Sequence, residues 1–193
     1  LQVIVIALFF GGAILAAGEK ARLWRDIVRS FYSVIGELME VVISLGPIRA
    51  VGEHYGPVGL IHFDSHVDTW DEGFGSRFNN GTTLRRGIEY GVLDPNRMIS
   101  IGIKGTLFSE AGGGKMSEDL GIEVLTMGEF ERIGIDETVR RIRQRVGTGL
   151  TYLTFDIDCM DPAYCPGGGV YELGGFTTRE IIQIFQGIRD LDI

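Results

Sequence analysis

The chain has 193 residues, 45% hydrophobic and 23% charged, with a formal charge of −8. That size and composition suit one globular domain with a large core, or part of a somewhat bigger one. The negative balance excludes nucleic acid as a main partner, because phosphate binding needs a basic surface. Cys159 and Cys165 are too few for a disulfide framework and suit a reducing, cytoplasmic setting.

Residues 1–18 carry no charge and approach the length of a bilayer span. No basic segment precedes the apolar run, and β-branched Val3-Ile4-Val5-Ile6 is broken by Gly11-Gly12. A buried parallel strand is therefore expected, with a membrane segment as the alternative. Residues 19–40 place Leu23, Ile27, Phe31, Val34, Ile35 and Leu38 at helical spacing. Residues 41–45 read as a second buried strand, 48–55 as a short helix, and 58–63 as a strand. The polar stretch 71–83 (DEGFGSRFNNGTT) is long enough for a functional loop. A short helix over 84–90 stops at Gly91, and 98–103 form the next strand. The glycine-rich stretch 106–115 lacks the spacing and lysine of a phosphate loop and reads as a mobile connection. After a strand over 122–125, Asp136 caps a helix through Val146, with Val139, Ile142 and Val146 on its apolar side and arginines on a solvated one. Residues 150–155 form the next strand. Thr177 with Glu180 makes a capping box ahead of a final helix over 181–185.

Strands alternate with helices, so an α/β domain with a mainly parallel sheet is expected, with ligands bound beyond the carboxyl ends of the strands. Both acidic clusters fall there. The first is HFDSHVD at 62–68, where Asp64, His66 and Asp68 stand at every second position and project from one face of an extended segment. The second is FDIDCMDP at 155–162, with Asp156 and Asp158. Each aspartate taken singly is more often a cap or turn residue. Four carboxylates and one imidazole at two strand ends suit two divalent ions with shared carboxylates, and such a donor set favours manganese. A hydroxide bridging the ions would be a nucleophile near neutral pH, giving metal-assisted hydrolysis.

HFDSHVD together with TFDIDCMDPAYCPG resembles the paired metal signatures of the ureohydrolase (arginase/agmatinase) family, and the text over 56–105 is closer to its agmatinase-like members. The resemblance implies a three-layer α/β/α fold, two manganese ions per chain, and attack of the bridging hydroxide on a guanidino carbon. Agmatine would give urea and putrescine; guanidinobutyrate or another guanidino acid is the alternative substrate, and a non-catalytic metal-binding homologue the alternative role. By position, Asp64 and Asp156 would bridge the ions, Asp68 would complete one, and His66 with Asp158 the other. Asp68 would also move a proton towards the leaving amine. His62 reads as support for Asp64 or as packing. Trimers or hexamers are also implied.

Three departures from the family pattern set further expectations. A Gly-Gly-Asp-His loop, whose histidine would be a sixth ligand, is expected after residue 45, yet Gly46 runs directly into Pro47-Ile48. Asn80 stands where the family has a histidine, and so becomes the candidate substrate contact. The chain stops at Ile193, short of the segment whose glutamate would hold the guanidinium. One ion site short of its histidine, and a single domain with little turnover of its own, are the resulting expectations.

Overall fold

The computed structural model describes residues 46–73, 75–104, 114–167, 169–170 and 172–193. The strands expected over 3–6 and 41–45, the helix over 19–40 and most of the glycine-rich loop lie outside these residues. The first described element is helix α1 (Gly46–Tyr55), which runs into Gly56 at φ +86 and then into strand β1 (Val58–Phe63). A 3₁₀ turn (Asn80–Thr82) leads into helix α2 (Thr83–Glu89), followed by strand β2 (Leu93–Ile103). Helix α3 (Gly114–Asp119) and strand β3 (Glu123–Thr126) come next. Helix α4 (Met127–Val146), strand β4 (Thr151–Phe155), a second 3₁₀ turn (Ile157–Cys159) and helix α5 (Thr178–Ile188) complete the order.

All four described strands are parallel, in the order β3-β2-β1-β4. The chain therefore builds outward from β1 to β2 to β3, then crosses back to place β4 on the other side of β1. The β1/β4 boundary is where the direction of winding reverses, which is where open parallel sheets hold their ligands. Side-chain alternation along β1 feeds two cores. Val58 and Leu60 join Ile48, Leu84 and Met98 on the side of α1 and α2, while Ile61 and Phe63 join Phe130, Ile142 and Ile184 on the side of α4 and α5. The result is a sheet between two helical layers, as expected.

Several boundaries differ from the sequence reading, for local reasons. Helix α4 begins at Met127, with Thr126 as its cap rather than Asp136: the Thr126 hydroxyl accepts from the Glu129 amide at 3.2 Å. Gly134 interrupts it at φ 75 and ψ −176, and this break hides the first two turns from a reading of periodicity. The α4 arginines also do more than face solvent. Arg143 donates to the Gly187 carbonyl and pairs with Asp190, while Arg145 donates to the carbonyls of Met98 and Pro95. Lys115 stands in α3 rather than in the preceding loop. The capping box is present: the Thr177 hydroxyl accepts from the Glu180 amide, and the Glu180 carboxylate accepts from the Thr177 amide at 2.8 Å.

Candidate metal centre

Strand β1 ends at Phe63, so the strict alternation of side chains stops there and a turn does the converging instead. The Asp64 carboxylate accepts the His66 amide at 2.5 Å, bending the chain, and Asp68 follows at φ 50, in the left-handed region that non-glycine residues rarely occupy. Across the sheet, Asp156 follows β4 and caps the second 3₁₀ turn through the Asp158 amide at 2.9 Å. Backbone bonds pin both loops to neighbouring strands: Asp64 N–H donates to the Ile101 carbonyl at 3.1 Å, and Asp156 N–H to the Phe63 carbonyl at 2.8 Å. Gly102, at φ +95, lets these loops close over β2, because a Cβ there would stand 2.8 Å from the Phe176 ring and 3.3 Å from the Asp64 carbonyl.

Asp64, His66, Asp68, Asn80, Asp156 and Asp158 all line one cavity of about 370 Å³. At its floor, Asp64 and Asp68 form one close group of donor atoms with His62, which lies outside the lining, and Asp64, His66 and Asp158 form another. Asp64 belongs to both, the position a carboxylate shared between two cations requires. Asp156 belongs to neither group, and its Oδ1 accepts the Asp158 amide. Hard oxygen donors with a minority of imidazole fit manganese better than a softer ion, so the donor set suits the expected metal.

The electrostatics are those of crowded carboxylates. Burial pushes the Asp64 carboxyl up, but hydrogen bonds from His62 and His66 outweigh it and hold the group well below the usual range. For Asp68 burial prevails instead and, reinforced by the Asp64 charge, lifts its carboxyl to about 8. Burial likewise raises Asp156. His66 Nδ1 lies 3.0 Å from Asp158 Oδ2 and 3.3 Å from Asp64 Oδ1, and these two contacts raise its imidazole to about 10.

His62 supports the site from behind. It is buried, with Nε2 3.0 Å from Asp64 Oδ2 and Nδ1 3.1 Å from the Ser100 hydroxyl of β2. A histidine fixed at both nitrogens orients the carboxylate it contacts. Asn79, next to the candidate substrate contact Asn80, is structural: its amide donates to the carbonyls of Gly73 and Ser76 at 2.8 and 2.9 Å. Trp70, Lys104 and Val170, which the sequence alone did not single out, also line the cavity, and Glu172 lies 3.8 Å from His66 Nε2. Lys104 was findable, since it directly follows a strand end where functional residues gather. Cys159 is buried, burial pushes its thiol up, and Cys159 and Cys165 are both free thiols.

Known proteins resemble this chain in sequence and in fold. A model of the arginase family matches residues 40–193. Guanidinopropionase of Pseudomonas aeruginosa is 41% identical over 153 residues, covering 79% of this chain and 48% of the relative. An agmatinase of Neisseria meningitidis serogroup C is 38% identical over 151 residues, covering 78% and 46%. Among solved structures, proclavaminate amidino hydrolase from Streptomyces clavuligerus superposes with a TM-score of 0.71 at 34% identity, covering 79% of this chain and 50% of that one. The chain spans about half the length of the curated relatives it matches. With both acidic clusters meeting at the reversal point of a parallel sheet, and a family match covering every described residue, the chain belongs to the arginase family.

Proposed function

We propose that this chain is a single ureohydrolase-like domain carrying the metal-binding machinery of a manganese-dependent guanidino hydrolase, with agmatine as substrate and urea and putrescine as products. The observation that carries this reading is the convergence of the two acidic clusters in one cavity, with Asp64 common to both donor groups. Asp64 and Asp156 are assigned as shared ligands, Asp68 to one ion, and His66 with Asp158 to the other. When bound, two manganese ions would supply Lewis acidity and an acidified water for attack on the guanidinium carbon. The chain's own residues supply the rest. Asp68, at the cavity wall, would also take a proton from the attacking water and pass it towards the departing amine. Asn80, at the cavity wall, offers an amide to the substrate without titrating.

The similarity to an agmatinase of Neisseria meningitidis serogroup C favours agmatine. The similarity to guanidinopropionase favours the guanidino-acid reading and keeps it as the alternative. The free thiols suit the cytoplasm, and a homo-oligomer is expected.

Urea release by the purified chain, loaded with manganese, is the test. Turnover of agmatine above guanidinobutyrate and guanidinopropionate supports the proposal, and the reverse order selects the guanidino-acid alternative. Uptake of about two ions per chain without urea from any of them selects the non-catalytic role. No ion uptake overturns the metal assignment.

A further inference from the structure

Lys104 is the first residue beyond β2, and its side chain runs along the cavity wall to the two loops that carry the acidic clusters. The ammonium has three donors and three acceptors within reach: the Ser65 hydroxyl at 2.7 Å, the Asp158 carbonyl at 2.8 Å and the Cys159 carbonyl at 3.2 Å. Its backbone N–H also donates to the Ser65 carbonyl at 3.0 Å. Ser65 closes the arrangement, its hydroxyl donating to the Asp158 carbonyl at 2.7 Å and its amide to Asp158 Oδ1 at 2.9 Å. That leaves Asp158 Oδ2 facing His66 Nδ1.

We propose that Lys104 is a positioning residue whose ammonium, acting with Ser65, clamps the two ligand loops at one separation and aims the Asp158 carboxylate at the metal cavity. The two loops leave different strands, and four carboxylates in one cavity repel each other. A fixed cation held by the Ser65 hydroxyl of one loop and the Asp158 and Cys159 carbonyls of the other offsets that repulsion without taking a ligand position. A lysine suits this position because three acceptors converge on one point and a compact ammonium can serve all three. Support of this kind keeps ligand atoms within the few tenths of an ångström that coordination tolerates. The effect on metal rests on the manganese reading above; the clamp itself does not.

The test uses the whole chain as Lys104→Met, which keeps the stem and removes the donors, and as Ser65→Ala. Amide hydrogen exchange is followed without metal, and manganese uptake by calorimetry and electron paramagnetic resonance. In Lys104→Met, exchange over residues 64–68 and 156–160 should rise about tenfold while β1 and β4 keep their protection. Manganese affinity should fall about 10–100-fold, and the spectrum should shift from a spin-coupled pair towards the six-line signal of isolated ions. Ser65→Ala should move the same observables in the same direction by less. Unchanged loop exchange in Lys104→Met overturns the clamp, as does looser exchange with unaltered manganese affinity and spectrum. Should the wild-type chain take up no manganese, the metal reading falls and loop exchange alone decides for or against the clamp. Should Lys104→Met not fold, Ser65→Ala decides on the same terms.

Discussion

The two carboxylate oxygens of Asp158 have separate partners, since Oδ1 accepts the Ser65 amide and Oδ2 faces His66. Asp158→Asn can keep the first contact but presents a neutral group to a cation, so manganese affinity should fall by at least about 100-fold, read by calorimetric titration. Unaltered affinity would remove Asp158 from the donor set. The pH response of the metal-free chain follows from Asp68 and His66. Asp68 stands at about 8 when folded, against about 4 in an unfolded chain, so its contribution is full below pH ~4 and lost as pH rises through 8. His66 stands at about 10 against about 6.5, so its contribution is lost as pH rises through 10. Asp64, held low, acts only in the acid window, where stability falls as it protonates. Between about pH 6.5 and 8 the first two effects add, and the thermal midpoint of the metal-free chain should fall steadily. Manganese must displace the same protons, so its affinity should rise with pH over that range. A flat melting profile would show that Asp68 and His66 do not hold these protons.

At the scale of elements, helix α5 tests how much one cap contributes. It buries Ile181, Ile184 and Ile188 against the sheet, and its start depends on the reciprocal Thr177–Glu180 bonds. Thr177→Ala should cost about 1 kcal/mol in urea unfolding, with no effect on metal affinity. Gly175 is a harder constraint. A Cβ there would lie 2.4 Å from the Met160 carbonyl carbon and 2.5 Å from the Asp161 amide, both rigid backbone. Gly175→Ala should therefore cost about 1–3 kcal/mol and disturb the Met160–Phe176 bridge that anchors the loop beyond Asp158. The cap was legible in the sequence because it needs only residues three apart. The Gly175 contact was not, since its partners become neighbours only after the chain folds back.

For the whole molecule, Phe63 is the central tie. It is fully buried at the end of β1, with the rings of Phe155, Phe176 and Phe185 at 5.9, 6.2 and 5.4 Å. Phe63→Ala should cost about 3–5 kcal/mol, because three elements cannot all collapse onto the gap. The residue also precedes Asp64, so the same change should loosen the metal cavity. Bound metal should feed back on the fold: manganese at 100 times its dissociation constant would add about 2.7 kcal/mol, and chelation should remove it. A thermal midpoint indifferent to manganese and chelator would speak against binding in the native state. Among the described residues no helix is long and apolar enough to cross a membrane, and residues 1–18, the stretch that raised the question, lie outside them.

The sequence by itself determined the alternation of strands and helices, the parallel sheet, the bounds of β1, β3 and β4 to within a residue and the carboxyl end of β2, and the two acidic clusters at strand ends. These rest on short-range physics: side-chain period, capping pairs and glycine stops act over a few residues. Only the tertiary structure decided that β4 crosses back beside β1, bringing Asp158 against Ser65 and His66 although 93 residues separate the first pair. It also decided that Asp64 is held low while Asp68 is raised, since burial and neighbouring charge depend on what the fold packs around each carboxylate. The partners of Lys104, unlike its place after a strand end, became legible for the same reason, its three acceptors lying on two loops that are distant along the chain and adjacent only across the sheet.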